Sequence, residues 1–174
     1  MSCWFNSDSL TTNQDLINVS DGTVNNQFHL RLRGAAAGDN IIAGSNAGGV
    51  NSLAVTTTAY STGVWQQAGA RFVSTTSRFA YIDGGSEGSN TTLSAPLLIS
   101  QTQLAVTGGR AAAFLDGRLA EAAIWNVDIG AAAMALLAKG LSPALIRPDA
   151  LVAYWPLWGR ATTEPDYAIK CLYP

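Results

Sequence analysis

Hydrophobic and polar residues alternate along several short stretches of this chain, most clearly in NQFHLRLRG at residues 26–34. The apolar positions of this stretch share one face of an extended strand: Phe28, Leu30 and Leu32. The polar positions share the other face: Gln27, His29, Arg31 and Arg33. This two-residue period is typical of an antiparallel strand with one face on the core and one in solvent. We therefore predict a strand whose polar face is solvated.

Other stretches with strand-like composition are separated by Gly, Asn, Asp and Ser turns. The further strands that we predict are residues 2–6, 15–19, 39–44, 51–58, 63–74, 77–83, 101–107, 117–127 and 150–156. The only helical pattern is GAAAMALLAKG, which predicts a short helix near residues 131–139 that ends at Gly140. The pattern predicts an all-β fold of two stacked antiparallel sheets with one short helix, in a single domain over residues 1–174.

Composition narrows the classes of partner. The charged fraction is 13% and the formal net charge is −2, so no basic stripe is present to bind nucleic acid or an anionic membrane. The chain starts without the pattern of a signal peptide, and its apolar runs are too short to span a bilayer. Cys3 and Cys171 are either two reduced thiols or a disulfide that joins the ends of the chain. We expect a soluble protein that binds neither nucleic acid nor membrane.

The order of the pieces resembles the concanavalin A-like jelly rolls of the laminin G-like (LamG) family. In that family a Trp-led strand precedes a Tyr-x-Asp-Gly hairpin, and a Gly-led strand then ends in an aromatic-Asn pair before a short helix. The residues here that match this order are Trp65, Tyr81, Asp83, Gly84, Gly117, Trp125 and Asn126. The resemblance covers nearly the whole chain and implies a jelly-roll sandwich.

The closing segment, KGLSPALIRPDALVAYWPLWGRATTEPD, resembles the ends of LamG-like domains in bacteriophage structural proteins. This resemblance implies a non-catalytic decoration protein on a virion surface, with capsid or tail proteins as partners. The alternative that it leaves open is an extracellular adhesion module that binds a surface polysaccharide. LamG-like domains normally have a strand before the segment that corresponds to SCWFN. We therefore also expect unpaired backbone groups beside SCWFN or its neighbour, and a homo-oligomer or a particle-bound subunit in which they are covered.

The candidate ligand-binding residues are the polar face of the 26–34 strand and an aromatic near the end of the chain. His29, Arg31 and Arg33 could donate hydrogen bonds to sugar hydroxyls or to an acidic glycan. Trp158 lies beyond the last predicted strand and could stack on a sugar ring. The alternative for this face is a solvated or subunit-covered surface.

The sequence gives weaker evidence for catalysis and for metal binding than for ligand binding. Gly84, Ser86 and Gly88 match the Gly-x-Ser-x-Gly pattern of serine hydrolases, but no helix follows, and we predict a hairpin turn instead. A glycoside hydrolase is a remote alternative, because no acidic residues show the spacing of a catalytic pair. No cofactor is expected. Calcium is the one metal that we consider, with candidate ligands in a single loop: Asp83, Glu87 and Asn90.

Overall fold

The computed structural model describes residues 1–34, 38–106 and 113–157, which form eleven strands and one α-helix. The first six strands are β1 (Ser2–Ser7), β2 (Gln14–Ser20), β3 (Asn26–Leu32), β4 (Asn40–Ala47), β5 (Val50–Ala59) and β6 (Gln66–Ser74). The others are β7 (Ser77–Ile82), β8 (Gly85–Asn90), β9 (Gln101–Leu104), β10 (Gly117–Trp125) and β11 (Leu151–Trp155). The helix α1 spans Gly130–Ala138, and short 3₁₀ turns follow at Pro143–Leu145 and Pro148–Ala150.

The strands form two antiparallel sheets. One sheet has six strands in the order β11-β10-β1-β6-β7-β8, and the other has five in the order β5-β4-β3-β2-β9. All pairs of neighbouring strands are antiparallel. The predicted two-sheet sandwich and its short helix are therefore confirmed.

The main core lies between the sheets, where the alternating apolar side chains of both sheets meet. The buried residues of this core include Phe5, Ile17, Leu30, Leu32, Ile41, Ala68 and Ala80. The opposite face of the six-stranded sheet is covered by α1 through Met134 and Leu137, which pack with Tyr81 and Trp125. The six-stranded sheet is therefore covered on both faces over part of its area.

The β7–β8 hairpin was only half predicted. Its turn is formed by Asp83 and Gly84, both with positive φ (50° and 69°), which is the geometry of a type I′ turn. The returning strand β8 was not predicted, because GSEGSN contains no β-branched or aromatic residue. Its Gly88 lies against β5, where a Cβ atom would approach the carbonyl oxygen of Val55 to 1.7 Å. Close backbone packing, rather than side-chain propensity, explains why this segment is a strand.

The expectation of an open edge is wrong for SCWFN itself. Strand β1 lies inside the six-stranded sheet, paired with β10 on one side and with β6 on the other. The two edges of that sheet are β11 and β8. The thiol of Cys3 is buried in the core, and burial raises its pKa. Cys171 lies outside the described residues, so the disulfide alternative stays a prediction.

Candidate functional site

A polar surface lies on the face of the five-stranded sheet that points away from the core. The strand register places Gln103, Asn18, His29, Gly44 and Leu53 side by side across β9, β2, β3, β4 and β5. The row two residues further along consists of Gln101, Ser20, Gln27, Asn46 and Asn51. We call these two neighbouring rows the amide face, because six of their ten residues are Asn or Gln.

The centre of the amide face is buried and its two ends are exposed. His29 is 1% exposed and Asn46 is 5% exposed, whereas Gln101 and Asn51 at the ends are open to solvent. The prediction that the polar side of β3 is solvated is therefore wrong for Gln27 and His29. The two-residue period identified correctly which side chains share a face, but it contains no information about what covers that face.

Several polar atoms of the amide face have no hydrogen-bond partner. In the described part of the chain, these unpartnered atoms are Oδ1 of Asn18, Nδ1 and Nε2 of His29, Oδ1 of Asn46 and Oε1 of Gln103. The Nδ2 group of Asn18, by contrast, donates to Oε1 of Gln27 at 2.6 Å. A buried polar group without a partner costs about 1–3 kcal/mol of stability. Buried polar groups usually have a protein or ordered-water partner, so each of these atoms requires an explanation.

His29 is a neutral group at the middle of this face. Burial, with a smaller contribution from the charge of Arg31, lowers the pKa of His29 to about 3. At neutral pH its imidazole therefore has one nitrogen that donates and one that accepts. The ring lies against Gly44, where an ideal Cβ atom would be 2.3 Å from Cε1 of His29. Only glycine leaves room for the ring at that position.

The two arginines predicted beside His29 differ in their surroundings. Arg31 forms a bidentate ion pair with the buried Asp15, with contacts of 2.5 and 3.1 Å, so its charge is neutralised within the sheet. Arg33 follows the end of β3 and is half-buried. Trp158 lies outside the described residues, and its contribution to a ligand site stays a prediction. The two rows of the amide face contain no aromatic side chain.

The structure separates the three candidate calcium ligands. Asp83 accepts hydrogen bonds from the backbone of Gln67 (2.9 Å) and from Nε2 of Gln66 (3.1 Å). Glu87 accepts from the Tyr81 hydroxyl, and Asn90 accepts from Arg78 and from the backbone of Thr92. Glu87 and Asn90 alternate onto opposite faces of β8.

Asp83, Glu87 and Asn90 therefore do not form a convergent set of oxygen ligands of the kind that calcium requires. Within residues 1–34, 38–106 and 113–157, no three His, Cys, Asp or Glu side chains could together hold a metal ion. Calcium binding stays a prediction.

Ser86 lies in the hairpin strand β8. Its hydroxyl forms a hydrogen bond of 2.6 Å with the Thr58 hydroxyl on β5. The one histidine of the chain is His29, which lies in the other sheet. The surroundings of Ser86 thus lack the strand–turn–helix context and the adjacent base of a serine nucleophile.

The amide face also lacks the acid pair of a glycoside hydrolase, since its two rows contain no Asp or Glu. Asp15, on the same strand as Asn18, is held by Arg31. Glu121 lies on β10 of the other sheet and accepts a hydrogen bond of 2.6 Å from the Tyr154 hydroxyl. A glycosidase needs two carboxyl groups about 5–10 Å apart across the scissile bond. The two rows of the amide face do not supply such a pair.

Sequence reasoning missed most of the polar residues that accompany His29. Asn18, Asn46 and Gln103 come from three other strands, and only the pairing register brings them beside β3. The sequence contained only a weak indication of these three residues, since each of them lies at a polar position in a predicted strand or close to its end. Finding them would have required the strand order as well as the period.

The comparisons with known proteins agree with the fold. Residues 1–134 match a laminin G-type family model described as the concanavalin A-like lectin/glucanases superfamily. The chain belongs to this family, which is the family that the sequence resembles. A search of curated proteins gives no match. Laminin G-like domains are generally non-catalytic binding modules, although the superfamily includes glycosidases. In the described residues, no helix is long and apolar enough to cross a membrane.

Proposed function

We propose that this protein is a non-catalytic binding module whose amide face binds a neutral, hydroxyl-rich ligand, with a polysaccharide as the natural candidate. The observation that supports this proposal is the set of buried, unpartnered atoms on Asn18, His29, Asn46 and Gln103. Sugar hydroxyls both donate and accept, so they match amide oxygens and a neutral imidazole. The exposed Gln101 and Asn51 provide polar ends from which a chain of sugars could extend.

The charge of the site favours a neutral over an acidic glycan. His29 is uncharged at neutral pH because burial lowers its pKa to about 3. The Arg31 guanidinium is already paired with Asp15. An acidic sugar would therefore have to break this ion pair or bind to Arg33 alone.

Binding to a panel of immobilised polysaccharides tests this function. We expect the wild-type chain to bind one or more neutral members, and Asn46→Ala to weaken that binding by about tenfold, the value of one hydrogen bond. The matched control is Asn6→Ala, because Asn6 is an equally buried asparagine with an unpartnered Oδ1 on the other sheet. Failure of every polysaccharide to bind, or equal losses in both variants, would remove support for the amide face.

A structural role on a bacteriophage virion is our second proposal. It is supported by the segment between β8 and β9, where three large apolar side chains are exposed: Leu93, Leu97 and Leu98, at 69%, 66% and 85%. Exposed apolar side chains together with a low surface charge are favourable for contacts between subunits. The partners would be capsid or tail proteins or further copies of the chain. This role is compatible with polysaccharide binding, since a decoration protein on a particle surface can also hold a host glycan.

The virion role has its own test. We expect the purified chain either to form an oligomer in light scattering or to cosediment with purified particles of the phage that encodes it. Leu98→Ser should weaken that association, whereas polysaccharide binding at the amide face should be unaffected. A chain that stays monomeric and does not cosediment would leave the extracellular adhesion module as the preferred account.

A further inference from the structure

Arg78 is a buried cation without a carboxylate partner. It lies on the core side of β7, two residues before Ala80, and is 1% exposed. Its guanidinium donates hydrogen bonds to neutral oxygens only: Oδ1 of Asn90 and the carbonyls of Thr75 and Thr92. In the part of the chain that the structure describes, no ion pair includes Arg78. A charge that is removed from water is normally balanced by one of opposite sign, which the described residues do not supply here.

Arg78 faces two serines of the opposite sheet. Its ladder partner Phe72 packs against Phe28 of β3, with ring centroids 4.9 Å apart. On the facing sheet, Ser45 is the ladder partner of Phe28, and Ser52 is the ladder partner of Ser45. Strand β7 packs over β4 and β5. One step across both sheets from the contact between the two rings therefore leads to Arg78 on one sheet and to Ser45 on the other.

A third serine comes from the segment that follows β8. The backbone N–H of Ser94 donates to the Thr75 carbonyl at 2.8 Å, and Nη2 of Arg78 donates to the same carbonyl at 3.0 Å. The Thr92 carbonyl, two residues earlier in that segment, accepts from the same Nη2 at 2.7 Å. Ser94 is therefore held beside the guanidinium of Arg78.

Four buried polar atoms of these residues have no hydrogen-bond partner: Nε of Arg78 and the Oγ atoms of Ser45, Ser52 and Ser94. None of the four residues is more than 6% exposed. The Nε–H group of an arginine can only donate, and a serine hydroxyl can donate to any acceptor beside it. The end of the sandwich at Arg78 thus contains four unused donors and one unbalanced positive charge.

The strands around these atoms provide no carboxylate to balance Arg78. Strands β4, β5 and β7 contain no Asp or Glu. Glu87 of β8 points to the outer face of the sheet, where it accepts a hydrogen bond from the Tyr81 hydroxyl. A water molecule would bond to the hydroxyls but would leave the charge unbalanced. An anion accepts from all four donors and balances the charge as well.

We propose that these four donors bind one small monovalent anion, of about the size of chloride, at what we call the anion site. Two packed sheets lie about 10 Å apart, and close-packed side chains fill the space between them, so a larger anion such as gluconate is excluded. The bound anion connects β4, β5 and β7 to the segment that follows β8. The anion site lies between the sheets and does not depend on the function proposed for the amide face.

Unfolding of the full chain in urea, in mixtures of sodium chloride and sodium gluconate, tests the anion site. Raising chloride from about 10 mM to about 500 mM at constant ionic strength should lower the unfolding equilibrium constant by about tenfold, because chloride binds only the folded chain. Ser45→Ala and Ser52→Ala each remove one donor and should reduce this effect to about twofold or less. The matched control is Ser2→Ala, because Ser2 is a serine that is 2% exposed and already has a partner in Gln67.

A crystal grown in sodium bromide locates the ion. We expect an anomalous peak beside Nε of Arg78, within reach of the three serine hydroxyls. Equal stability in chloride and gluconate, or the same chloride effect in Ser45→Ala, Ser52→Ala and Ser2→Ala, would overturn the proposal. So would a crystal in which water, rather than bromide, occupies the position beside Nε.

Discussion

The imidazole of His29 lies so close to the backbone of Gly44 that a Cβ atom at position 44 would be 2.1 Å from Nε2. The two residues are direct neighbours across the β3–β4 ladder. The imidazole ring packs directly on the backbone of Gly44, which is possible because glycine has no side chain. This packing orients His29 at the centre of the amide face.

The first prediction is that Gly44→Ala destabilises the fold by about 1–3 kcal/mol, the usual cost of adding a methylene to a packed site. The free energy of unfolding, measured in urea, checks this. The control is Gly85→Ala, because no atom lies within 4 Å of the position of its Cβ. Similar losses in both variants would show that the His29–Gly44 contact is not the cause.

The second prediction concerns pH. Burial lowers the pKa of His29 from 6.5 to about 3, against the opposing effect of Asp15. Between these two values the unfolded chain binds a proton that the folded chain does not, so stability falls as pH decreases below 6.5. The slope from this residue is about 1.4 kcal/mol per pH unit.

His29→Gln should abolish that slope, so the difference between wild type and variant isolates it. The buried amine of Met1 acts in the same direction, because burial lowers its pKa to about 5, but it is common to both proteins. An identical pH dependence of unfolding in the two proteins would contradict a buried, neutral His29.

The third prediction concerns Arg78, which is 1% exposed and donates to three oxygens: Oδ1 of Asn90, the Thr75 carbonyl (3.0 Å) and the Thr92 carbonyl (2.7 Å). Lysine lacks the planar fork that reaches all three. Arg78→Lys should therefore cost about 2–4 kcal/mol, because it leaves buried acceptors unpaired.

The control for Arg78 is Arg147→Lys, since Arg147 forms an exposed ion pair with Asp149. Thermal unfolding should show little or no change in melting temperature for that variant, because exposed ion pairs contribute little to stability. A comparable effect of both substitutions would mean that Arg78 does not connect β7 to the segment after β8.

The fourth prediction is that Ser86 is not a nucleophile. A fluorophosphonate probe should label wild type and Ser86→Ala equally weakly, because the Ser86 hydroxyl bonds to the Thr58 hydroxyl and the one histidine lies in the other sheet. Labelling that disappears only in Ser86→Ala would overturn the assignment of this stretch to a hairpin.

Local patterns predicted the fold well but predicted the site only in part. Alternation around His29 identified the two faces of β3, and the small-residue run at 130–140 identified α1. Strand β8 was missed because Gly88 forms a strand by close backbone contact with Val55, which composition does not reveal. The amide face depends on register: Asn18 and Asn46 are distant in sequence, and only strand pairing places them near His29.

The open edge is not at SCWFN itself, for a related reason. The prediction started from the strand that precedes SCWFN in related domains, whereas β1 is paired on both sides, with β6 and with β10, which lies more than a hundred residues later. Local periodicity does not reveal that two segments so far apart in the sequence pair with each other.

The central claim, that His29 and its neighbours form the ligand site, is tested most directly by the imidazole nitrogens of His29. The sequence contains one histidine, so a ¹⁵N-labelled sample gives one pair of imidazole signals. On saturation with the neutral polysaccharide selected by the binding panel, we predict that the Nδ1 or Nε2 signal shifts by several ppm as a hydrogen bond forms to an unpartnered nitrogen. A polysaccharide that saturates the protein while both nitrogen signals stay unchanged would contradict the account.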